Sequence, residues 1–206
     1  MKIYGIKPWT GEAPVLTGRV FSPETEPFCD RPYAPINCYP WAPEGYCPEA
    51  RAYLGYMKDS LLVLMCAMEQ QIIAAQTAFG GAVCRDSCLE FFLNPMPTLQ
   101  DEYVNVEVNC AGVMHIAFGE GRHNRRVLKS MPEGVNVSCS RHDGNWWAVS
   151  YQLPVALLGG CEPEMQANFY TCDETLHEHY GCWNPVSAPQ PDFHRPECFG
   201  LLRLED

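Results

Sequence analysis

Hydrophobic and polar residues alternate most cleanly over residues 102–111, EYVNVEVNCA, with Val104, Val106, Val108 and Cys110 on one side and Tyr103, Asn105, Glu107 and Asn109 on the other. A period of two is the mark of a β-strand, whose successive side chains point to opposite faces. Residues 86–93, DSCLEFFL, repeat the pattern, with Leu89, Phe91 and Leu93 facing one way and Cys88, Glu90 and Phe92 the other. Residues 61–68 are apolar on both faces, which predicts a central strand covered on both sides. A strand piece precedes it across a turn at Lys58, Asp59 and Ser60. Further strands are expected at 2–6, 14–20 and 113–118. Residues 135–140 and 146–153 form a hairpin around His142-Asp143-Gly144, which points Trp147, Val149, Tyr151 and Leu153 inward. Residues 70–77 fit either a continued strand or a helical turn, and 154–158 a short helical turn ended by Gly159-Gly160.

From Asn168 to the C-terminus the chain gathers three histidines and several aromatics, but Pro185, Pro189, Pro191 and Pro196 break any helix. Such a segment is expected to be a Pro-rich loop between two short strand-like pieces, carried by a scaffold, where binding sites concentrate. Internal repeats, heptads and long amphipathic helices are absent. Many short strands separated by turn residues predict an all-β antiparallel sandwich, jelly-roll-like, with long Pro-rich loops and little helix. The 206 residues suit one domain. Residues 1–50, irregular but rich in aromatics, are expected to form an N-terminal wrap over one face of a sheet.

Composition narrows the function. Hydrophobic residues make up 47% and charged residues 19%, a globular balance. A formal net charge of -11 argues against nucleic acid and anionic membrane as partners, which need a basic footprint. It suits a neutral ligand such as a sugar, or cations. The N-terminus lacks an apolar stretch of signal-peptide length, so a cytoplasmic location is expected, or an extracellular one if a leader is removed. The 12 cysteines include no CxxC pair, which disfavours a zinc-thiolate site of ordinary spacing; most are expected reduced and buried.

P-loop, GxSxG, HExxH and dinucleotide-binding motifs are missing. Glu90 sits among apolar residues and needs a partner, because an unpaired buried carboxylate is costly. The row Asn105, Glu107, Asn109 is either a solvated outer face or a set of hydrogen-bonding groups for a hydroxyl-rich ligand. Within GEGRHNRR, Arg122, His123 and Asn124 are either exposed turn residues or ligand donors. Trp41, in YPWAPEGY, either covers a sheet or reaches a ligand. His177, His179 and His194, with Asp173, Glu178 and Asp192, form either a transition-metal site or a loop brace; a structural calcium held by acidic groups is the other metal to weigh. Glu90 and Glu107 on neighbouring strands would make a carboxylate pair of the kind glycoside hydrolysis uses.

Asp86-Ser87-x-x-Glu90-Phe91-Phe92, the Asn105/Glu107/Asn109 strand, Gly121-Arg122-His123-Asn124, Asn168-Phe169-Tyr170, His179-Tyr180-x-x-Trp183-Asn184-Pro185 and Asp192-Phe193-His194-x-Pro196-x-x-Phe199-Gly200 occur in this order. Together they resemble the family 9 carbohydrate-binding modules, and more closely the single-domain family 9-like proteins of gut bacteria. The resemblance implies a β-sandwich that holds a sugar between two tryptophans, with calcium in a structural role and glycoside hydrolases as associated partners. On that reading Trp183 is one half of the clamp. The position ahead of Asp86 reads Ala82-Val83-Cys84, so Trp41 is the candidate for the other half. The expected ligand set is Trp183, Trp41, Glu90, Asn105, Glu107, Asn109, Arg122, His123, Asn124 and His179, serving non-catalytic binding of a xylan- or glucan-like saccharide. The alternative is a sugar-active hydrolase or isomerase using Glu90 or Glu107 with a histidine.

Overall fold

A computed structural model of the chain describes residues 1–25, 28, 30–42, 44–141 and 145–205. The expected turn at His142-Asp143-Gly144 lies outside the described residues. Thirteen strands form among the described residues: β1 (Ile3–Pro8), β2 (Ala34–Ile36), β3 (Glu49–Met57), β4 (Ser60–Glu69), β5 (Cys88–Asn94), β6 (Tyr103–Asn109), β7 (Met114–Gly119), β8 (Arg126–Val127), β9 (Val137–Ser140), β10 (Asn145–Pro154), β11 (Glu164–Asp173), β12 (His179–Cys182) and β13 (Gly200–Leu204). Helix among the described residues is limited to two 3₁₀ turns, Val83–Arg85 and Pro196–Cys198.

The strands run in the order β8-β7-β6-β5-β11-β13-β1-β3-β4-β10-β9, with β12 beside β11 and β2 beside β3. Among the described residues all pairings are antiparallel except those of β1, which lies parallel to β13 through its first four residues and to β3 through its last two. The two layers of the sandwich are therefore one curled sheet that turns its corner at β1. Leu89, Phe91, Leu93, Val104, Val106 and Val108 from one layer meet Leu61, Val63, Met65, Trp147, Val149 and Tyr151 from the other in the main core. The alternation in β5, β6 and β10 selects these faces, as the sequence requires.

Both layers are also covered on their outer faces. Leu16, Phe21 and Phe28 pack with Tyr53, Leu64, Cys66 and Trp146 over β3, β4 and β10. This explains why residues 61–68 are apolar on both faces. The strand expected at 14–20 does not form; the Leu16 and Thr17 amides bond the Ser138 hydroxyl instead. Residues 70–77 are neither strand nor helix, because side chains take their amides: Ser87 accepts from Ile73, and the Asp86 carboxylate accepts from Ala75 and Gln76. The outer face of β5, β6 and β11 is covered by residues 184–199, which bring Val186, Phe193 and Phe199 onto Phe92, Tyr103 and Tyr170.

At one end the layers are tied by a buried acid. Glu69 accepts from the Trp147 indole at 2.9 Å and from the Ser87 hydroxyl at 2.9 Å. Burial pushes its carboxyl up to about 7 in spite of those two donors. The fold thus favours the protonated form. Its contribution is fully present below the unfolded value near ~4.3 and is lost as pH rises through about 7. Urea midpoints are expected to fall between about pH 4 and 7 and to level off above, and Glu69→Gln to flatten that fall. A profile unchanged in E69Q would remove Glu69 as its source.

Candidate functional site

The covered outer face of β5 and β6 carries the polar groups. The strand register sets Tyr170, Glu90, Glu107 and His115 side by side across β11, β5, β6 and β7. Glu90 and Glu107 are thus direct cross-strand partners, both buried. They line the base of a small solvent-open cleft of about 100 Å³, which holds part of a ligand and leaves the rest at its mouth. Cys84 and Cys172 share that base; Arg122, Glu174 and Asp192 stand around it, and Tyr180, Phe92, Phe193, Pro191 and His194 supply apolar and ring surface.

Two like acids in one dry spot cannot both ionise freely. Burial, then the neighbouring Glu107, raises Glu90 well above the carboxylate range. Burial raises Glu107 too, opposed by His115, by the Asn105 amide that donates to it at 2.7 Å, and by Arg125. The Cys172 thiol donates to Glu90 at 3.1 Å and is the partner that this lone acid needs. The pair accordingly offers hydroxyl donors as well as acceptors to a ligand.

The rim is set by charge pairing. Arg122 donates to Asp192 at 2.9 Å, joining the β7–β8 loop to the C-terminal loop. Asp192 also accepts the His194 amide, and the His194 ring meets the Tyr103 hydroxyl at 2.8 Å. Burial foremost, with Arg125 and Arg122 nearby, lowers His194 to about 4, so at neutral pH it is an uncharged hydrogen-bonding ring.

Arg125 holds the β7–β8 loop. Its guanidinium donates to Asn105 Oδ1 and to the carbonyls of Gly119, Gly121, Tyr103 and Ala117, and lies 4.2 Å over the Tyr103 ring. Beside it Asn124 takes a left-handed backbone with φ 59°, a conformation that asparagine tolerates better than most residues. Sequence reading selected Arg122, His123 and Asn124 from this loop and missed Arg125, because nothing local separates one arginine of GRHNRR from another.

Several expected ligand residues do other work. Trp183 is 2% exposed and belongs to the main core, edge-on to Phe169 at 5.5 Å. Its six-membered ring lies so near Gly200 that a Cβ there would stand 2.5 Å from it. Trp183 is therefore a packing residue, not one side of a clamp. Asn109 is fully buried and donates to Asp86 and to the Gln76 carbonyl. Asn105 spans Glu107 and Arg125. His179 is buried, bonded through one ring nitrogen to the His177 carbonyl and through the other to Thr171, with Tyr46 edge-on to it. His123 and Asn124 are exposed and do not line the cleft. Of the expected set, Glu90, Glu107 and Arg122 line it.

Trp41 has a separate place. Its indole donates to the Ala188 carbonyl at 2.8 Å, and its ring stands perpendicular to Tyr180 at 6.3 Å. It walls an adjoining groove of about 630 Å³ that shares Tyr180 and Pro191 with the cleft. Tyr180, Asp192 and His194 lay inside the motifs behind the resemblance, but no periodicity marked them as lining residues.

A helix-poor β-module with a polar cleft on one covered sheet face, and aromatic rings along its mouth, has the form of a small-ligand binding domain. The model of carbohydrate-binding family 9 matches residues 25–141 and 147–204, and the chain belongs to that family. Solved structures agree on the fold. A Bacteroides uniformis protein provisionally described as carbohydrate-binding is 24% identical, with a TM-score of 0.79 and 99% of each chain covered. A family 9 carbohydrate-binding module from Caldicellulosiruptor kristjanssonii is 12% identical with a TM-score of 0.68. Its complex with glucose covers 99% of this chain and 96% of that one, and its complex with cellotriose 99% and 94%. A search of curated proteins finds no match.

Proposed function

We propose that this protein binds carbohydrate without transforming it, taking one sugar unit into the cleft over Glu90 and Glu107. The observation that carries the reading is the buried acid pair at the base of a cleft whose mouth presents Tyr180 and the Arg122–Asp192 bridge. A pyranose needs both: hydroxyls that give and accept hydrogen bonds, and C–H faces that rest on an aromatic ring. The shared boundary with the Trp41 groove gives a path for further units, so a short glucan- or xylan-like chain is the ligand class. The glucose and cellotriose complexes of the C. kristjanssonii module favour the glucan. Association with glycoside hydrolases in carbohydrate breakdown is part of the same proposal.

Calorimetric titration with cello- and xylo-oligosaccharides tests it. Tyr180→Ala is expected to weaken binding about tenfold, the worth of one aromatic contact, with the urea midpoint little changed. Trp41→Ala is expected to weaken a trisaccharide more than glucose. Unchanged affinity in Y180A would place the sugar elsewhere. Turnover of the saccharide during the titration, lost in Glu107→Gln, would replace binding with hydrolysis by the paired acids.

A further inference from the structure

Cys88 on β5 and Cys172 on β11 are direct cross-strand partners. Glu90 is two residues along β5, on the same face. The two sulfurs and a Glu90 carboxylate oxygen all lie within 4.8 Å of one another, and all three residues are buried. That spread suits ligands around one ion, with metal–sulfur bonds of about 2.3 Å and metal–oxygen bonds of about 2.1 Å. The Cys84 thiol and Glu107 lie alongside, and Cys84, Glu90, Glu107 and Cys172 all line the cleft.

The cluster is held neutral by its surroundings. Burial foremost holds the Cys84 and Cys88 thiols protonated, with Cys88 pushed up to about 12. Hydrogen bonding to Cys88, then burial, does the same for Cys172. The Glu90 and Glu107 carboxyls are raised beside them. Arg125 bears on Glu107 and Arg122 on Glu90, while Glu174 adds a further negative charge. Five acidic groups therefore converge on one spot, three of them close enough together to share one ion.

We propose that Cys88, Cys172 and Glu90 bind a thiophilic divalent cation of the zinc class at the base of the cleft, with one coordination position open toward Cys84, Glu107 and the ligand. Thiolates select zinc or cadmium, whereas calcium takes six to eight oxygens. The metal replaces the protons on its ligands, so binding releases up to three protons and tightens as pH rises. CxxC spacing could not reveal the site, because the two cysteines are brought together by the pairing of β5 with β11 and not by proximity in the chain.

The test uses the full chain, reduced with a phosphine and free of metal, titrated with cadmium. One equivalent is expected to raise a sulfur-to-cadmium charge-transfer band in the ultraviolet and to slow alkylation of Cys88 and Cys172 in urea just below the unfolding transition, where local opening exposes buried thiols. Cys88→Ser and Cys172→Ser are each expected to lower affinity about a hundredfold, and Glu90→Gln about tenfold with the band retained. Cys66→Ser, in the opposite layer, is expected to leave both readouts unchanged. The alkylation map reads the native chain, so the result stands even if C172S misfolds. Equal alkylation of Cys88 and Cys172 with and without cadmium overturns the proposal, as does a band that survives in the C88S/C172S double variant. Neither readout involves a sugar, so failure here is distinct from failure of carbohydrate binding.

Discussion

Trp183→Ala is expected to destabilise the protein by about 3–5 kcal/mol, the range for removing a buried tryptophan from a close-packed core. The indole is held on one side by Phe169, which itself stacks on Phe91 at 5.0 Å and 9°, and on another by the Gly200 backbone. Neither neighbour can collapse into the space, because both belong to paired strands. For a chain of this length the loss corresponds to a fall in Tm of roughly 10 °C or more. Urea unfolding and thermal melting measure it. The folded fraction is expected to bind saccharide with unchanged affinity, since Trp183 does not line the cleft. Lost binding with intact stability would return Trp183 to the site. Gly200→Ala is expected to act in the same direction, because its new Cβ would meet the indole.

Arg125→Ala is expected to cost about 3 kcal/mol and to weaken saccharide binding as well. The substitution strands the carbonyls of Tyr103, Ala117, Gly119 and Gly121 and the Asn105 amide oxygen, several of them shielded from water. Leaving buried acceptors unpaired costs about 1–3 kcal/mol each before water relieves part of it. Binding falls because the loop that carries Arg122 to Asp192 loses its anchor. Arg125→Lys is expected to recover little, since an ammonium lacks the planar fork that reaches several acceptors at once. Arg122→Gln separates the two effects. Its exposed bridge is worth less than about 1 kcal/mol, so affinity is expected to fall while the urea midpoint holds. Wild-type stability in R125A would show that water replaces the guanidinium.

The motifs behind the family resemblance prove to be largely clamps of the fold. Asn168 and Asn184 exchange hydrogen bonds across the start of the C-terminal loop, and Asn184 reaches on to Lys2 and Cys198. Asp86 and Ser87 tie down residues 73–76. His179 braces β12 against β11. Such residues are legible because a fold built on irregular loops needs the same polar side chains at the same points to satisfy backbone groups that no strand pairs. The groups that line the cleft obey no such rule. Tyr180 and Asp192 are ordinary strand-end and loop residues whose role depends on what stands opposite them.

Alternation by itself determined the strands β5, β6 and β10 and the faces they bury, since a period of two leaves a side chain one choice of side. Proline spacing likewise argued against a helix in the run that begins at Asn168. Tertiary structure alone decided that the polar face of β6 is covered and not solvated, that Glu90 sits directly opposite Glu107, and that Trp183 packs inside while Tyr180 and Trp41 stand at the openings. It also decided that Cys88 meets Cys172. The physical reason is common to all of these. Local sequence sets which side of a strand a residue occupies, but the register between distant strands and the path of a returning loop decide what that side faces.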